Sequence, residues 1–348
     1  MTSPYRLLLA AALVAATLPA LGGVATAAEE PITDQPVVFH VKNINSSRVY
    51  CPADNAAYDV VGHLTGPSSV VHRGRIAAAT LYVHGDAVDE SLWRYDKVPG
   101  YNYVAEMAKR GFVSVTISRL GYTGSGKPNG NKVCLGSEAD VAHQIVVALR
   151  HGSYNVGNAT HGPLMQKVAL AGHSASGFAV MAEAYSFGGI DDLVVIGSGQ
   201  FVKPRAPQAV FDQQTRCASA ADGYALIEAT GEQAAADFFH DADPAIVADV
   251  TAHRPPDSCA GLMFIPSNII SDSVFNRQVT VPVLLITGDS DAFFDDPAQE
   301  AALFTDSLDV KSVLLPNTGH AITLGHSAPQ FRDQMAAWLD EHGLDAGG

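Results

Sequence analysis

The feature that most constrains the fold is a series of short apolar segments separated by helical ones. Strands buried on both faces are continuous apolar runs, whereas helices repeat their apolar residues at a spacing of three to four. Their alternation predicts an α/β fold with a doubly wound, mostly parallel sheet. The predicted strands of this kind are residues 77–83, 112–117, 168–171, 193–196, 281–287 and 310–315.

The segments around these strands complete the predicted domain. Residues 37–41 and 58–62 are expected to open it as an antiparallel pair, and helices are predicted at 103–110, 140–150 and 329–341. Residues 200–280 break the alternation, because they show helical signals at 220–229 and 231–239 but no strand of the sheet. Ligands bind at the carboxyl edge of such sheets. We therefore expect this insertion to form a helical cap over that edge.

The first 28 residues have the pattern of a signal peptide. Arg6 precedes an apolar run over residues 7–21, and Ala25-Thr26-Ala27 fits a small-residue cleavage site. The run is too short to span a membrane. We predict an exported protein with one domain over residues 29–348.

Charge and cysteine content narrow the partners and the compartment. The formal net charge is −15, with 21 basic and 36 acidic residues, which disfavours nucleic acids and anionic membrane surfaces as partners. The four cysteines form no C-x-x-C pair, so zinc-ribbon and thioredoxin-type sites are not supported. An even number in an exported chain predicts two disulfides, with three possible pairings.

The main chemical signal follows the apolar segment 168–171. Gly172-His173-Ser174-Ala175-Ser176-Gly177 leads into a helical stretch, so Ser174 is predicted on a tight strand-to-helix turn that exposes its hydroxyl. Small residues are needed on either side because the backbones crowd there. Ser176 occupies the place of the second glycine in the G-x-S-x-G pattern.

Candidate partners follow other predicted strands, in the order serine, acid, histidine. Gly288-Asp289-Ser290-Asp291 follows one strand, and Asp291 is the preferred acid with Asp289 as the second candidate. Gly319-His320 follows the last strand, and a carboxylate at such a position can orient this histidine. Upstream, the backbone amides of Asp86 and Ala175 are predicted to form an oxyanion hole.

Together these motifs resemble the α/β-hydrolase superfamily over nearly the whole mature chain. The resemblance rests on His84-Gly85, the 172–176 elbow, the 288–291 acid loop and Gly319-His320. It implies a secreted serine esterase or lipase-like enzyme that needs no cofactor or metal. Ser174 would be the nucleophile, His320 the base and Asp291 the orienting acid. The substrate would be a small ester, and the oligomeric state is left open.

The resemblance also bears on the disulfides and the pocket. The second strand of this fold neighbours the fourth, which favours Cys51–Cys134. The second predicted pair is Cys217–Cys259, because both cysteines lie in the predicted cap. Trp93, Tyr122, Phe293 and Phe294 are candidates for an acyl pocket.

Two alternatives remain. One is a peptidase of the proline-iminopeptidase type, and the other is a catalytically silent binding protein with the same fold. The peptidase would use a cap carboxylate to hold the substrate amine, for which the candidates are Asp241, Asp243 and Asp257.

Overall fold

A computed structural model of the chain describes Met1 and residues 30–346. The predicted signal peptide therefore lies outside the described residues, apart from Met1. Within the described part of the chain, no helix is both long enough and apolar enough to cross a bilayer.

Nine strands form one mixed sheet in the order β11-β10-β7-β6-β3-β4-β2-β1-β5. The strands are β1 (Ile32–Lys42), β2 (Ala57–Pro67), β3 (Arg75–Val83), β4 (Ser114–Ile117), β5 (Asn155–Val156), β6 (Leu164–His173), β7 (Asp192–Ile196), β10 (Val283–Gly288) and β11 (Val310–Leu315). The six strands from β11 to β4 pair in parallel, and β2, β1 and β5 are added antiparallel. The predicted mostly parallel sheet and its antiparallel opening pair are confirmed.

Helices cover the sheet and fill the long connection between β7 and β10. They are α1 (Ser68–Val71), α2 (Ser91–Arg94), α3 (Tyr103–Ala108), α4 (Leu135–His151), α5 (Ala175–Ser186), α6 (Arg205–Cys217), α7 (Gly231–Phe238), α8 (Pro244–Ala252), α9 (Cys259–Met263), α10 (Ile265–Phe275), α11 (Ala298–Ala301) and α12 (Ala328–Glu341). The central strands β7 and β10 are buried at every residue, because helices shield both faces of a parallel sheet.

The insertion between β7 and β10 contains α6 to α10 and a separate antiparallel pair, β8 (Tyr224–Ala225) and β9 (Asp257–Ser258). None of its described residues adds a strand to the nine-stranded sheet. The helix predicted over 220–229 is wrong, since turns and β8 occupy that segment. Gly223 explains the difference: its φ of +76° is outside the helical range, and a Cβ there would lie 2.5 Å from the Asn131 amide nitrogen.

Both predicted disulfides are present. Cys51 and Cys134 have Cα atoms 6.2 Å apart, and Cys217 and Cys259 have Cα atoms 5.8 Å apart. The first bridge links the β1–β2 connection to the residue before α4, and the second joins α6 to α9. The pairing β2–β4, on which the first prediction rested, is observed.

Candidate active site

The predicted nucleophile lies at the junction of β6 and α5. Ser174 has φ +55° and ψ −124°, a conformation that non-glycine residues rarely adopt and that stores strain at functional turns. Its amide donates to the Ile196 carbonyl at 2.9 Å, and its carbonyl accepts from the Gly177 amide at 2.8 Å. These bonds hold the serine at the N-terminus of α5, where the helix dipole favours negative charge.

Ser176 fits the elbow although it departs from the glycine pattern. Its hydroxyl is buried and donates to the His84 carbonyl at 2.6 Å, which ties the elbow to the end of β3. The close backbone approach occurs one residue later, because a Cβ on Gly177 would lie 2.3 Å from the Ser198 Cβ. Gly177, one residue after the second glycine position of the pattern, is therefore the residue at which close packing excludes a side chain.

The structure brings the three predicted triad residues into one hydrogen-bonded chain. Ser174 Oγ lies 2.8 Å from His320 Nε2, and His320 Nδ1 lies 2.7 Å from Asp291 Oδ2. His320 and Asp291 are 1% and 2% exposed, so solvent does not compete with the bond between them. The geometry allows Ser174 to donate its proton to Nε2 while the carboxylate holds the Nδ1 proton.

The acid loop places one of its two carboxylates toward the histidine. Asp291 Oδ1 accepts from the amides of Phe293 and Phe294 at 2.8 and 3.1 Å, which leaves Oδ2 for His320. Asp289 instead accepts from the Ser290 hydroxyl at 2.9 Å. Burial raises the pKa of Asp289, but hydrogen bonds from the backbone and from Ser290 outweigh it and lower that pKa. Asp289 thus bonds to Ser290 and to the backbone of the loop that carries His320, through the Thr318 amide at 3.3 Å, and not to the imidazole.

Aromatic rings surround the imidazole of His320. Phe238, Phe293 and Phe294 have ring centroids 5.2, 4.8 and 5.8 Å from it. His173, the residue before the nucleophile, donates from Nε2 to the His320 carbonyl at 2.9 Å. Burial holds the pKa of His173 well below its ordinary value, and the bond of His173 to the His320 carbonyl holds the histidine loop in place.

Asp86 lines the pocket beside Ser174. Its carboxylate forms an ion pair with Arg119, which follows β4 in the chain. Arg119 Nη2 donates to Asp86 Oδ1 at 2.5 Å, and Arg119 Nη1 binds both carboxylate oxygens of Glu138 at 2.9 and 2.7 Å. Burial works against the Arg119 charge, but the surrounding carboxylates raise the pKa of Arg119 well above its ordinary value. The Asp86 carboxylate beside the predicted oxyanion hole is therefore paired with a cation, which it shares with Glu138. The sequence motifs did not single out Arg119 or Glu138 for this role.

The turn that carries Asp86 is held by a residue of the insertion. Ala87 has φ +59°, and its amide donates to Asp257 Oδ1 at 2.7 Å. The Tyr122 hydroxyl donates to the same oxygen at 2.8 Å. Burial, reinforced by the Asp86 carboxylate, raises the pKa of Asp257 well above its ordinary value. Asp257 is thus a buried hydrogen-bond acceptor.

A pocket of about 40 Å³ opens onto Ser174 and is lined, apart from Ser174 and Asp86, by apolar side chains of the sheet edge and the insertion. Phe293 and Phe294 line it, as expected. Trp93 does not, because it packs against Tyr82 in the core at a centroid distance of 5.0 Å. Tyr122 does not either, because it is bonded to Asp257.

The three candidate amine-binding carboxylates lie elsewhere. Asp241 bonds to Asn317 and His326, Asp243 caps α8 through the Ala245 amide, and Asp257 holds the Ala87 turn. Among the described residues, Asp86 is the one ionisable side chain that lines the pocket. No cluster of three or more His, Cys, Asp or Glu in the described part of the chain could hold a metal.

The sequence profile of the alpha/beta hydrolase family matches residues 80–334, which include every element of this site. The chain belongs to that family. Comparison with curated proteins gives no match.

Solved structures of this family share the fold at low identity. An esterase from Thermogutta terrifontis superposes with a TM-score of 0.59 at 15% identity, over 87% of this chain and 99% of that one. A monoglyceride lipase from Saccharomyces cerevisiae gives 0.57 at 15% identity, over 86% and 96%. A bromoperoxidase from Bacillus anthracis gives 0.55 at 15%, over 87% and 99%. Since proteins with different names share it, the fold alone does not select the reaction.

Proposed function

We propose that this chain is an exported serine hydrolase that cleaves a carboxylic ester through an acyl-enzyme intermediate. The hydrogen-bonded chain Ser174–His320–Asp291, at the mouth of an apolar pocket, carries the proposal. A serine hydroxyl is a weak nucleophile, and a histidine within hydrogen-bond reach can take its proton as it attacks. The buried carboxylate of Asp291 stabilises the imidazolium that then forms.

In the acylation half, Ser174 Oγ attacks the ester carbonyl carbon as its proton passes to His320 Nε2. The carbonyl oxygen becomes an oxyanion, which the amides of Asp86 and Ala175 stabilise. Each such donor contributes about 3 kcal/mol to lowering the barrier. The tetrahedral intermediate collapses, the bond to the alcohol oxygen breaks, and the alcohol leaves with the proton from His320.

In the deacylation half, a water molecule takes the place of the alcohol. His320 Nε2 accepts its proton as the water oxygen attacks the acyl carbon, and the bond to Ser174 Oγ then breaks. The proton returns to the serine, and the carboxylic acid leaves. All groups in this cycle belong to the chain or to the substrate and water.

The composition of the pocket favours an ester over an aminopeptidase substrate. An aminopeptidase needs an unpaired carboxylate for the substrate amine, and the Asp86 carboxylate that lines the pocket is bonded to Arg119. The signal-peptide pattern at the N-terminus and the two disulfides support export, because disulfides persist in oxidising compartments.

Two measurements on the mature protein test the proposal. A fluorophosphonate probe should label Ser174, located by peptide mapping, and the Ser174→Ala variant should stay unlabelled. A p-nitrophenyl ester series from C2 to C16 should be hydrolysed much faster than aminoacyl-anilides. Labelling of Ser174 with hydrolysis of the anilides but not of the esters would favour the peptidase. Absence of both labelling and hydrolysis would indicate the catalytically silent binding protein.

A further inference from the structure

A second apolar space adjoins the pocket at Ser174. This groove has a volume of about 220 Å³ and shares five lining residues with the pocket. The shared residues are Phe178, Ala206, Val210, Ile265 and Phe294. The groove therefore continues the pocket away from the nucleophile.

The far part of the groove lies between α6 and α10 of the insertion. Pro207 comes from α6, Pro266 and Ile269 from α10, and Val202 from the segment before α6. Every residue that lines the groove is apolar, so it offers neither a charge nor a polar side chain to a ligand. Its chemistry suits a hydrocarbon chain and penalises a charged or hydroxylated one.

The other cavity beside the site has the opposite character. It has a volume of about 220 Å³, has Ala87 and Val88 in its lining, and shares no lining residue with the pocket at Ser174. Charged side chains line it, among them Asp89, Arg94 and Lys97. An alkyl chain attached to the reacting carbonyl would therefore be less favourably buried in this cavity than in the groove.

We propose that the groove between α6 and α10 binds the unbranched acyl chain of the ester, so that the preferred substrates carry medium-length or longer acyl groups. This inference rests on the proposed function and gives it a substrate class. The acyl group stays bound to Ser174 after the alcohol has left, so its chain must occupy the space that continues from the serine. Phe178, which lies one turn beyond the nucleophile on α5, lines both the pocket and the groove.

The size of the effect follows from hydrocarbon burial. Each methylene that enters the groove should raise kcat/KM about fourfold until the groove is filled. The rise should depend on the acyl chain and not on the alcohol, since the alcohol departs toward His320.

Two neighbouring residues of α10 provide a matched pair of variants. Ile269 lines the groove and is half-buried, whereas Ile270 is 67% exposed and does not line it. Ile269→Trp should shorten the groove. Ile270→Trp adds the same side chain at a surface position. Ile269→Ala provides a milder change should the larger residue impair folding.

The experiment measures kcat/KM for p-nitrophenyl acetate and decanoate, and separately for acetates of alcohols of increasing length. In the wild type and in Ile270→Trp, the decanoate-to-acetate ratio should exceed 100, and in Ile269→Trp it should fall at least tenfold. In Ile269→Ala it should fall by a smaller factor. A ratio near one in the wild type, an unchanged ratio in both Ile269 variants, or a length dependence confined to the alcohol would overturn the proposal.

A binding measurement separates this inference from the proposed reaction. If no ester is hydrolysed, the proposed function fails, and calorimetry with decanoate and acetate still tests the groove. Decanoate should bind to the wild type and to Ile270→Trp at least tenfold more tightly than to Ile269→Trp. Equal affinity in all three proteins would remove the groove as an acyl site.

Discussion

The two walls of the site are held in different ways. On the sheet wall, Ser174, Asp291 and His320 follow strands β6, β10 and β11, whose hydrogen-bonded ladders fix where each loop begins. On the insertion wall, α6, α9 and α10 lie outside the sheet, and discrete links within the insertion hold its segments together. Examples of these links are the Cys217–Cys259 bridge, the short β8–β9 pair and the ion pair of Arg205 with Glu228. The comparison teaches that the sheet positions the proposed catalytic residues, whereas links within the insertion position the helices that line the proposed acyl groove.

The largest effect should come from Ser174, the proposed nucleophile on the sheet wall. Ser174→Ala should lower kcat by about 10⁵-fold or more, because the remaining residues cannot supply a nucleophile. Its circular dichroism should match that of the wild type. Ser176→Ala is the control: it removes a neighbouring buried hydroxyl that contacts the His84 carbonyl, and should cost less than tenfold. Turnover near the wild-type rate in Ser174→Ala would end the serine-hydrolase proposal.

The next effect separates the two carboxylates of the acid loop. Asp291→Asn should lower kcat/KM by about 10⁴-fold, because an amide facing His320 Nδ1 favours the wrong tautomer. Asp289→Asn should change it less than threefold, since this residue does not contact the imidazole and an amide oxygen can still accept from Ser290 and the Thr318 amide. Steady-state kinetics on both variants decides the matter. The opposite ranking would move the role of acid to Asp289.

On the insertion wall, the disulfide should matter for stability. Replacing Cys217 and Cys259 by serine releases a loop with a sequence separation of 42 residues. The chain-entropy model gives a loss of about 4 kcal/mol in the free energy of unfolding. Urea denaturation of the variant and the wild type, both without reductant, measures it. A loss below about 1 kcal/mol would mean that the other links hold the insertion without the bridge.

The smallest expected effect concerns whether Asp257, a residue of the insertion, influences the rate of the proposed reaction. Asp257→Ala should lower kcat about tenfold, since the Ala87 amide loses its acceptor and the oxyanion turn can relax. Asp257→Asn keeps an acceptor oxygen and should recover most of the rate. Asp243→Ala, which removes a carboxylate from the surface of the same insertion, should leave kcat unchanged. Equal losses in Asp257→Ala and Asp257→Asn would contradict a positioning role for this bond.

Local pattern was sufficient for most of the sheet wall. Ser174 follows the buried end of β6, and His320 follows the partly exposed edge strand β11. In both cases the ladder of the preceding strand fixes where the loop begins. The choice between Asp289 and Asp291 stayed open because both follow the same strand. The choice depends on the amides of Phe293 and Phe294, which bind Asp291 Oδ1 and turn Oδ2 toward the histidine.

The insertion wall was harder to predict because distant contacts decide it. The segment 220–229 has helical composition, yet Gly223 packs against the backbone near Asn131 and the segment turns into β8.

The aromatic lining of the pocket was also predicted only in part. Trp93 and Tyr122, which lie outside the insertion, are aromatic residues near the site and were expected to line the pocket. One packs in the core and the other joins a buried hydrogen-bond cluster, and nothing in their local sequence distinguishes them from Phe293 and Phe294.

The cluster around Arg119 restricts how this enzyme can change by mutation. One guanidinium pairs with Glu138 and Asp86, while Tyr122 connects Asp86 to Asp257. Loss of one partner of a buried ion pair leaves an uncompensated charge and costs about 3–5 kcal/mol, a large share of the stability of a typical domain. A single substitution in this cluster therefore destabilises the protein strongly, and a second, compensating substitution must accompany it. Directed evolution of the oxyanion turn should consequently advance through paired substitutions, whereas the groove residues can change one at a time.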